Sequence, residues 1–299
     1  MKWMLPLSLL LLLALIVSCS PSSPATATPL SEPTVEFKTP LPEATEAQVV
    51  PTNTPVPPPP TPTPLPTVEK ATGPAVTDIM VEIPAGPFIM GNNNGRQDEA
   101  PAHEVDVLAF EIDKFEVTNA DFARFVGATG YQTDAEKMGL SRTWRDAAEG
   151  KDNHPVVYVS WNDAVAYCKW VGKRLPTEAE WEKAARGTDE RLYPWGNEYD
   201  SKKVNGQDSG IRGTTAVGSF ADGASPYGVL DMAGNVWEWT SDWYEAYPGS
   251  SYQSPYYGQQ FKVLRGGGWF ETADFLRTTT RNATSDTAAN DDLGFRCAR

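Results

Sequence analysis

Proline and the large aromatic residues divide this chain into two parts with different capacities to fold. Of its 26 prolines, 16 fall in residues 20–74, whereas nine of its 10 tryptophans and all 11 tyrosines follow residue 130. Proline removes a backbone donor, and the leader has almost no apolar side chains to bury, so it favours polyproline II and disorder. The sequence therefore predicts a disordered Pro/Thr-rich tether at 19–74 and one folded domain at 75–299.

The first 18 residues have the pattern of an export signal. Lys2 precedes an apolar run at 5–17, which is shorter than the roughly 20 residues that span a membrane. Ile16-Val17-Ser18-Cys19 resembles a bacterial lipobox, which implies lipid attachment to the Cys19 thiol and cleavage just before it. An uncleaved membrane anchor is the alternative. We predict a lipoprotein signal peptide at 1–18 and a protein anchored through Cys19 to the outer face of a bacterial membrane, in the cell envelope.

The overall composition excludes several classes of protein. The net charge is −14, and no cluster of lysine and arginine is present to neutralise phosphates, so we expect no nucleic-acid partner. Three cysteines are too few for a zinc ribbon or a disulfide-dense mini-domain. The two histidines, His103 and His154, cannot supply a three-histidine metal site.

Local signals after residue 78 predict a domain of mixed helix and strand. Alternation and turn residues predict strands at 80–84, 88–91 and 105–110. Thr118, Ser160 and Thr177 are predicted to cap helices at 119–126, 161–171 and 178–186. Turn residues dominate after Gly187. We therefore predict an α+β fold with much irregular structure.

A series of motifs extends through the same region in a fixed order. They are Ile83-Pro84-Ala85-Gly86-Pro87-Phe88-Ile89-Met90-Gly91, Phe115-Glu116-Val117-Thr118-Asn119, Val159-Ser160-Trp161-Asn162-Asp163-Ala164, Gly172-Lys173-Arg174-Leu175-Pro176-Thr177-Glu178-Ala179-Glu180-Trp181-Glu182, Tyr193-Pro194-Trp195-Gly196, Gly234-Asn235-Val236-Trp237-Glu238-Trp239, Leu264-Arg265-Gly266-Gly267-Gly268-Trp269 and Gly294-Phe295-Arg296-Cys297. Residues 79–299 thus resemble the formylglycine-generating enzyme (sulfatase-modifying factor) family. The resemblance implies a variant of the C-type-lectin fold in a single domain. We expect its tryptophans to form the core: Trp161, Trp170, Trp181, Trp195 and Trp237.

The chemistry of that family depends on sulfur that is missing here. Its enzymes oxidise a substrate cysteine with a copper-binding cysteine pair located after Arg-Gly-Gly, and soft thiolates suit copper(I). No cysteine occurs between Gly266 and Arg296. Copper is therefore not expected as a cofactor. A related iron-dependent branch needs three histidines, and this chain has two. An enzyme with altered chemistry would draw on the polar residues of the same stretch, namely Glu271, Asp274, Arg277 and Arg281.

The resemblance also implies calcium as a structural cofactor. The first set of matching positions is Asp231, Gly234, Val236 and Glu238, where two carboxylates and backbone carbonyls suit a hard cation. An acidic turn satisfied by water or by arginine is the alternative. A second set is Asn205, Gly206 and Asp208, although the family aspartate falls at Ser209 unless the alignment shifts by one residue.

The family further places a disulfide at the positions of Cys168 and Cys297. Export makes oxidation plausible for this pair. Two buried free thiols are the alternative.

These features favour a non-catalytic binding module at the cell surface, whose ligand is a protein, a peptide or a small molecule. The ligand would contact the irregular surface around residues 269–274 and 243–257, because aromatic loops make adaptable contacts. The second segment holds a cluster of tyrosines at positions 244, 247, 252, 256 and 257. An enzyme of the same superfamily acting on an exported substrate, by formylglycine generation or a related oxidation, and a structural envelope protein are the alternatives.

Overall fold

Short strands and helices alternate with long irregular segments in the computed structural model, which describes residues 79–299. The predicted signal peptide, Cys19 and the tether to residue 74 lie outside the described residues. Within the described part, none of the helices has the length and apolar character that crossing a membrane would require.

Two antiparallel strand pairs open the domain. Strand β1 (Met80–Ile83) pairs with β4 (Phe110–Asp113), and β2 (Gly86–Met90) pairs with β3 (His103–Val107). The single strand predicted at 105–110 is therefore wrong. The first strand ends before Leu108, whose side chain is 84% exposed, and the segments on either side of this residue pair with different strands.

Five helices follow in the described part, and three of them begin at the positions that were predicted from their capping residues. They are α1 (Asn119–Thr129), α2 (Asp134–Lys137), α3 (Trp144–Ala148), α4 (Trp161–Trp170) and α5 (Glu178–Arg186). The Thr118 side chain accepts from the Asp121 N–H, whereas Ser160 and Thr177 form full capping boxes. The helix predicted at 119–126 continues one turn further, to a left-handed Gly130.

The second half of the domain is built on a four-stranded sheet. It contains β5 (Trp237–Trp243), β6 (Lys262–Arg265), β7 (Asn282–Thr284) and β8 (Leu293–Gly294) in the order β7-β6-β5-β8. Strand β5 is antiparallel to β6 and parallel to β8. Single 3₁₀ turns interrupt the remaining loops at Gln97–Glu99, Ser201–Lys203, Gln207–Ser209, Ala221–Gly223 and Ala273–Phe275.

The five predicted core tryptophans differ in burial. Trp181 and Trp237 are fully buried, and Trp161 and Trp195 are partly buried. Trp170 is 44% exposed, so its assignment to the core is wrong. It is the last residue of α4, where its ring packs against Phe125 and Tyr167, at 5.5 and 6.0 Å between ring centroids, and the rest of the ring faces solvent.

Candidate functional site

The four residues proposed for an altered chemistry do not converge on one point. Arg281 is buried, with Nε 2.6 Å from Oε1 of Glu178 and Nη2 2.9 Å from Oε2. Arg277 donates from Nη2 to Oε1 of the buried Glu99 at 2.6 Å. The side chain of Asp274 is 87% exposed. The two arginines therefore hold distant segments together, and only Glu271 keeps a carboxylate free of ion pairs at this loop.

Glu178 lies at the centre of a buried ion-pair network that joins α5 to the sheet. Arg265 donates to Glu178 Oε1 at 3.0 Å and to Glu182 Oε2 at 2.6 Å. Burial opposes ionisation of Glu178, but Arg281 and Arg265 outweigh it and hold the pKa of this carboxyl below its usual value. Each partner already has its counter-charge, which favours a structural role for the network.

Glu271 instead faces a second acidic residue that the sequence motifs did not single out. Trp237 donates from Nε1 to Glu271 Oε1 at 3.3 Å. The backbone of Gly268 passes so close to Asp292 and Trp237 that a β-carbon there would lie 3.3 Å from Cβ of Asp292 and 3.5 Å from Cδ1 of Trp237. Burial raises the pKa of Glu271. Burial, followed by the charges of Asp291 and Glu271, raises the pKa of Asp292 to about 6. Two carboxyl groups thus lie at the loop that follows Arg265-Gly266-Gly267.

A cleft of about 410 Å³ opens beside this loop. Trp269 and Asp291 line one part of it, and Tyr158 adopts a left-handed backbone conformation at its wall, with φ of 58°. Such a conformation is unusual for a bulky residue and often marks a functional position. The cleft also carries the cationic side chains of Arg142, Lys151 and Arg212. Both signs of charge and two aromatic rings therefore meet in one opening.

The two histidines are not brought together. Nδ1 of His103 lies 2.9 Å from the Pro101 carbonyl oxygen, and Nδ1 of His154 lies 3.0 Å from Oγ1 of Thr214. Burial, together with the charge of Lys151, lowers the pKa of His154. Each ring therefore has its own local partner.

The predicted tyrosine cluster is divided between core and surface. Tyr244 and Tyr247 are buried, and their hydroxyls donate to Asp98 at 2.7 Å and to Glu178 at 3.3 Å. Both rings are therefore held mainly in the packed interior, which corrects the expectation of an exposed contact surface, although Tyr247 also lines a cleft of about 370 Å³ with Trp243. Tyr256 is exposed, and Tyr252 lines a separate cleft of about 510 Å³.

At the predicted calcium turn, Glu238 is already ion-paired. Arg296 binds both of its carboxylate oxygens at 2.7 Å, and Trp181 donates from Nε1 to Oε2 at 2.9 Å. Asp231 accepts from the Gly218 N–H at 2.6 Å. The alternative interpretation, an acidic turn neutralised by arginine, is therefore correct for Glu238. Asp231 accepts a backbone hydrogen bond but forms no ion pair among the described residues.

Glu116 lies close enough to Asp231 and Glu238 for their charges to act on its carboxyl group. It was not predicted as a ligand from the sequence. Its Oε2 accepts from Nδ2 of Asn235 at 2.8 Å, whereas its buried Oε1 has no hydrogen-bond partner. Burial, followed by the charges of Asp231 and Glu238, raises the pKa of Glu116 well above its usual value. Its place in the Phe115-Glu116-Val117-Thr118-Asn119 motif was the available signal.

Three buried carboxyl groups thus lie around the single guanidinium of Arg296, and burial raises the pKa values of two of them, Glu116 and Asp231. The oxygen donor set of this turn therefore fits a hard cation, with Glu116 and Asp231 as the carboxylates and backbone carbonyls of Gly234 and Val236 as further candidates. No cluster of three or more acidic, histidine or cysteine side chains in residues 79–299 has an arrangement that could hold a metal. Calcium here stays a prediction that depends on two carboxylates and carbonyl oxygens.

The second predicted calcium set forms a turn closed by hydrogen bonds. Asn205 donates from Nδ2 to the Gly213 carbonyl at 3.0 Å and accepts at Oδ1 from Ser209 at 3.2 Å. The Gly206 carbonyl accepts from the Ser209 N–H, and Asp208 is exposed. This set offers a cation fewer free oxygens than the first, and it too stays a prediction.

Cys168 and Cys297 are joined as a disulfide in the structure, with Cα atoms 5.7 Å apart and a sequence separation of 129. The bond links α4 to the end of the chain. The sequence has one further cysteine, Cys19. The domain therefore holds no thiolate for a copper site while this bond is intact.

The domain is similar to several known proteins. A family model described as "Sulfatase-modifying factor enzyme 1-like domain" matches residues 66–299. Inactive C-alpha-formylglycine-generating enzyme 2 of Mus musculus is 39% identical over 279 residues, covering 76% of this chain and 87% of that protein. Formylglycine-generating enzyme of Streptomyces coelicolor is 36% identical over 289 residues, covering 76% and 91%. The solved structure of PvdO from Pseudomonas aeruginosa has a TM-score of 0.59 at 29% identity, covering 74% of this chain and 93% of that one.

Proposed function

Because the chain belongs to the family of sulfatase-modifying factor enzyme 1-like domains, we propose that it is a non-catalytic, lipid-anchored member. In this proposal its domain binds an exported protein, peptide or small molecule at the outer face of a bacterial membrane. The observation that carries the proposal is the pairing of Cys168 with Cys297, since these are the two cysteines of the domain and their sulfurs are bonded to each other. The family resemblance carried by the motifs and the α+β fold predicted from the local strand and helix signals are both confirmed.

The side chains of the former catalytic stretch support a loss of catalysis. Arg277 and Arg281 are paired to buried glutamates, and Asp274 points into solvent. Enzymatic chemistry requires titratable groups that converge on a reacting atom. Relatives named as inactive formylglycine-generating enzymes show that the family tolerates such a loss.

The cleft beside Trp269 is the binding surface that we favour. Its volume of about 410 Å³ is in the range of small-molecule and peptide side-chain sites. Its aromatic rings supply apolar contact area, and its charged groups supply orientation. A peptide with both charged and apolar side chains fits this lining.

One observation supports the alternative of an enzyme with altered chemistry. Asp292, with a pKa of about 6, lies beside Glu271 at the same loop. A carboxyl group with a pKa near neutrality is suited to proton transfer. We rank this second because the other polar side chains of the stretch, Asp274, Arg277 and Arg281, do not converge on this pair.

An oxidation assay with metal analysis tests the absence of catalysis. The full-length protein is loaded with copper(I) and incubated with oxygen and a cysteine-containing sulfatase peptide, and the products are followed by mass spectrometry. The Streptomyces coelicolor enzyme serves as the positive control. We expect no formylglycine and no stoichiometric copper; robust turnover of the peptide would overturn the proposal.

A separate experiment tests the lipid anchor. The wild-type chain and a Cys19→Ala variant are expressed in a bacterial host, and membranes are separated from soluble proteins. We expect the wild type in the membrane fraction and the variant in the soluble exported fraction. A variant that stays in the membrane would indicate an uncleaved apolar anchor and would exclude lipidation as the attachment.

A further inference from the structure

Two carboxyl groups lie near the Trp237 indole and Gly268. Glu271 accepts the indole N–H, and Asp292 lies against Gly268 with 8% of its surface exposed. In residues 79–299, no side chain and no N–H of another residue donates a hydrogen bond to the Asp292 carboxylate. The residue as a whole is nine-tenths buried, and its carboxylate has no donor from another described residue, so a cationic group that reached its oxygens would supply the partner they lack.

The charges around this pair do not neutralise it. Asp291 precedes Asp292 and adds a third negative charge at the cleft. Arg96 is the cation whose charge reaches Glu271, but it lies 3.5 Å from Asp98 and stacks over the Phe275 ring at 4.9 Å. The acidic group is therefore left with excess negative charge for which the domain supplies no dedicated cation.

Aromatic rings adjoin the same carboxylates. Trp269 and Phe270 follow Gly268 directly, and their rings meet edge to face at 5.3 Å between centroids. Phe270 is 43% exposed, and Trp269 lines the cleft together with Asp291. The faces of exposed aromatic rings attract organic cations, and carboxylates pair with ammonium and guanidinium groups.

We infer that Glu271, Asp292 and Trp269 form a recognition site for the ammonium or guanidinium group of a lysine or arginine side chain in an exported peptide. This inference rests on the binding function proposed above and names the chemistry that the site selects. An organic cation suits the site better than a metal ion. The aromatic rings offer it contact area, and no described group of three acidic side chains is arranged to hold a metal. Arg142, Lys151 and Arg212 line the same cleft as Trp269 and would pair with an acidic group of the same peptide.

Capped amino acids test the site in its simplest form. Acetyl-lysine-amide, acetyl-arginine-amide and acetyl-norleucine-amide are titrated into the full-length protein by calorimetry, with tryptophan fluorescence as a second signal. We expect saturable binding of the first two and at least tenfold weaker binding of the norleucine compound, which has the same stem without the charge. Equal binding of all three would overturn the inference.

Matched variants locate the interaction. Asp292→Asn and Glu271→Gln preserve shape and remove charge, so each is expected to weaken binding of acetyl-lysine-amide at least fivefold. Asp222→Asn removes an exposed carboxylate at a distant turn and is expected to bind as the wild type does. Near-ultraviolet circular dichroism establishes that each variant is folded. Wild-type affinity for acetyl-lysine-amide in a folded Asp292→Asn protein would contradict the inference. Binding of calcium chloride alone by the wild type, lost in this variant, would also contradict it, because the site would then be a metal site.

Failure of this inference is distinguishable from failure of the proposed function. If the lysine compound does not bind and the oxidation assay yields no formylglycine, the cation site is wrong and the non-catalytic assignment stands. If the lysine compound binds and formylglycine forms, the cation site stands and the non-catalytic assignment is wrong.

Discussion

Arg296 donates two hydrogen bonds to the carboxylate of Glu238 in the interior of the domain, from Nε to Oε2 at 2.7 Å and from Nη2 to Oε1 at 2.7 Å. Both side chains are closed to solvent. The same guanidinium donates to the backbone carbonyls of Asp113 and Leu230. The pair therefore links the Gly294-Phe295-Arg296-Cys297 motif to strand β5, to the end of β4 and to the segment around Leu230.

Removing one partner of this pair should strongly destabilise the domain. Glu238→Gln removes the one carboxylate that hydrogen-bonds to Arg296 among the described residues, and breaking such a buried pair costs about 3–5 kcal/mol of unfolding free energy. Urea unfolding followed by tryptophan fluorescence measures the change. The control is Glu111→Gln, which removes the exposed partner of Arg299 and is expected to unfold at the wild-type urea concentration. Equal midpoints for the two variants would show that the buried pair is not a major support.

Calcium should stabilise the domain through Glu116. A ligand that binds the folded state at 100 times its dissociation constant adds about 2.7 kcal/mol of stability, so calcium chloride should raise the melting temperature and a chelator should reverse the rise. Glu116→Gln should abolish this shift, even if it raises the melting temperature of the calcium-free protein by removing a buried, unpaired charge. Asp208→Asn should retain the shift. If Asp208→Asn loses it and Glu116→Gln does not, the ions bind at the second predicted turn.

The disulfide should contribute to stability through the length of chain it closes. The loop between Cys168 and Cys297 spans 129 residues, and loss of a native disulfide typically costs about 2–5 kcal/mol. A Cys168→Ala/Cys297→Ala variant should unfold at lower urea than the wild type, whereas Cys19→Ala should not. Alkylation of unfolded, unreduced protein followed by mass spectrometry checks the bond directly. Labelling of both cysteines in that sample would show free thiols.

Local structure could be predicted from the sequence wherever the determinants lie within one turn of chain. The starts of α1, α4 and α5 follow from a capping residue and its partner three positions on, and the structure places those hydrogen bonds as expected. The prediction failed where tertiary pairing decides the outcome. Alternation continues through Leu108, but β3 and β4 separate there because each finds a different partner strand.

The candidate site shows the same limit. Glu271 was recognised from its place after the Arg-Gly-Gly motif, whereas its neighbour Asp292 comes from the other side of β7 and could be assigned only after folding. Arg281 looked like a catalytic candidate in the sequence. Its partner Glu178 lies 103 positions away, and that pairing converts the arginine into part of the core. Ion pairs between residues so far apart in the chain produce no local sequence pattern from which the pairing could be predicted.

Asp292 should make the stability of the domain depend on pH in a recognisable direction. Its pKa is raised from 3.8 to about 6 in the folded chain. Between those values the folded state holds a proton that the unfolded state has released, so stability from this group increases as the pH falls through about 6 and is lost as the pH rises through it. Asp292→Asn removes the effect. The melting temperature of the variant relative to the wild type should therefore be higher at pH 7.5 than at pH 5.

The difference between the two proteins isolates Asp292, because other buried carboxyls with raised pKa values, such as Asp231 and Asp242, titrate in both. Differential scanning calorimetry at half-unit pH steps provides the measurement. Asp222→Asn, which alters an exposed carboxyl, is the control for the removal of a negative charge elsewhere on the domain. An Asp292→Asn difference that does not change with pH would mean that Asp292 is ionised like an ordinary surface aspartate, and the cleft would then have no unsatisfied carboxylate to offer a cationic ligand.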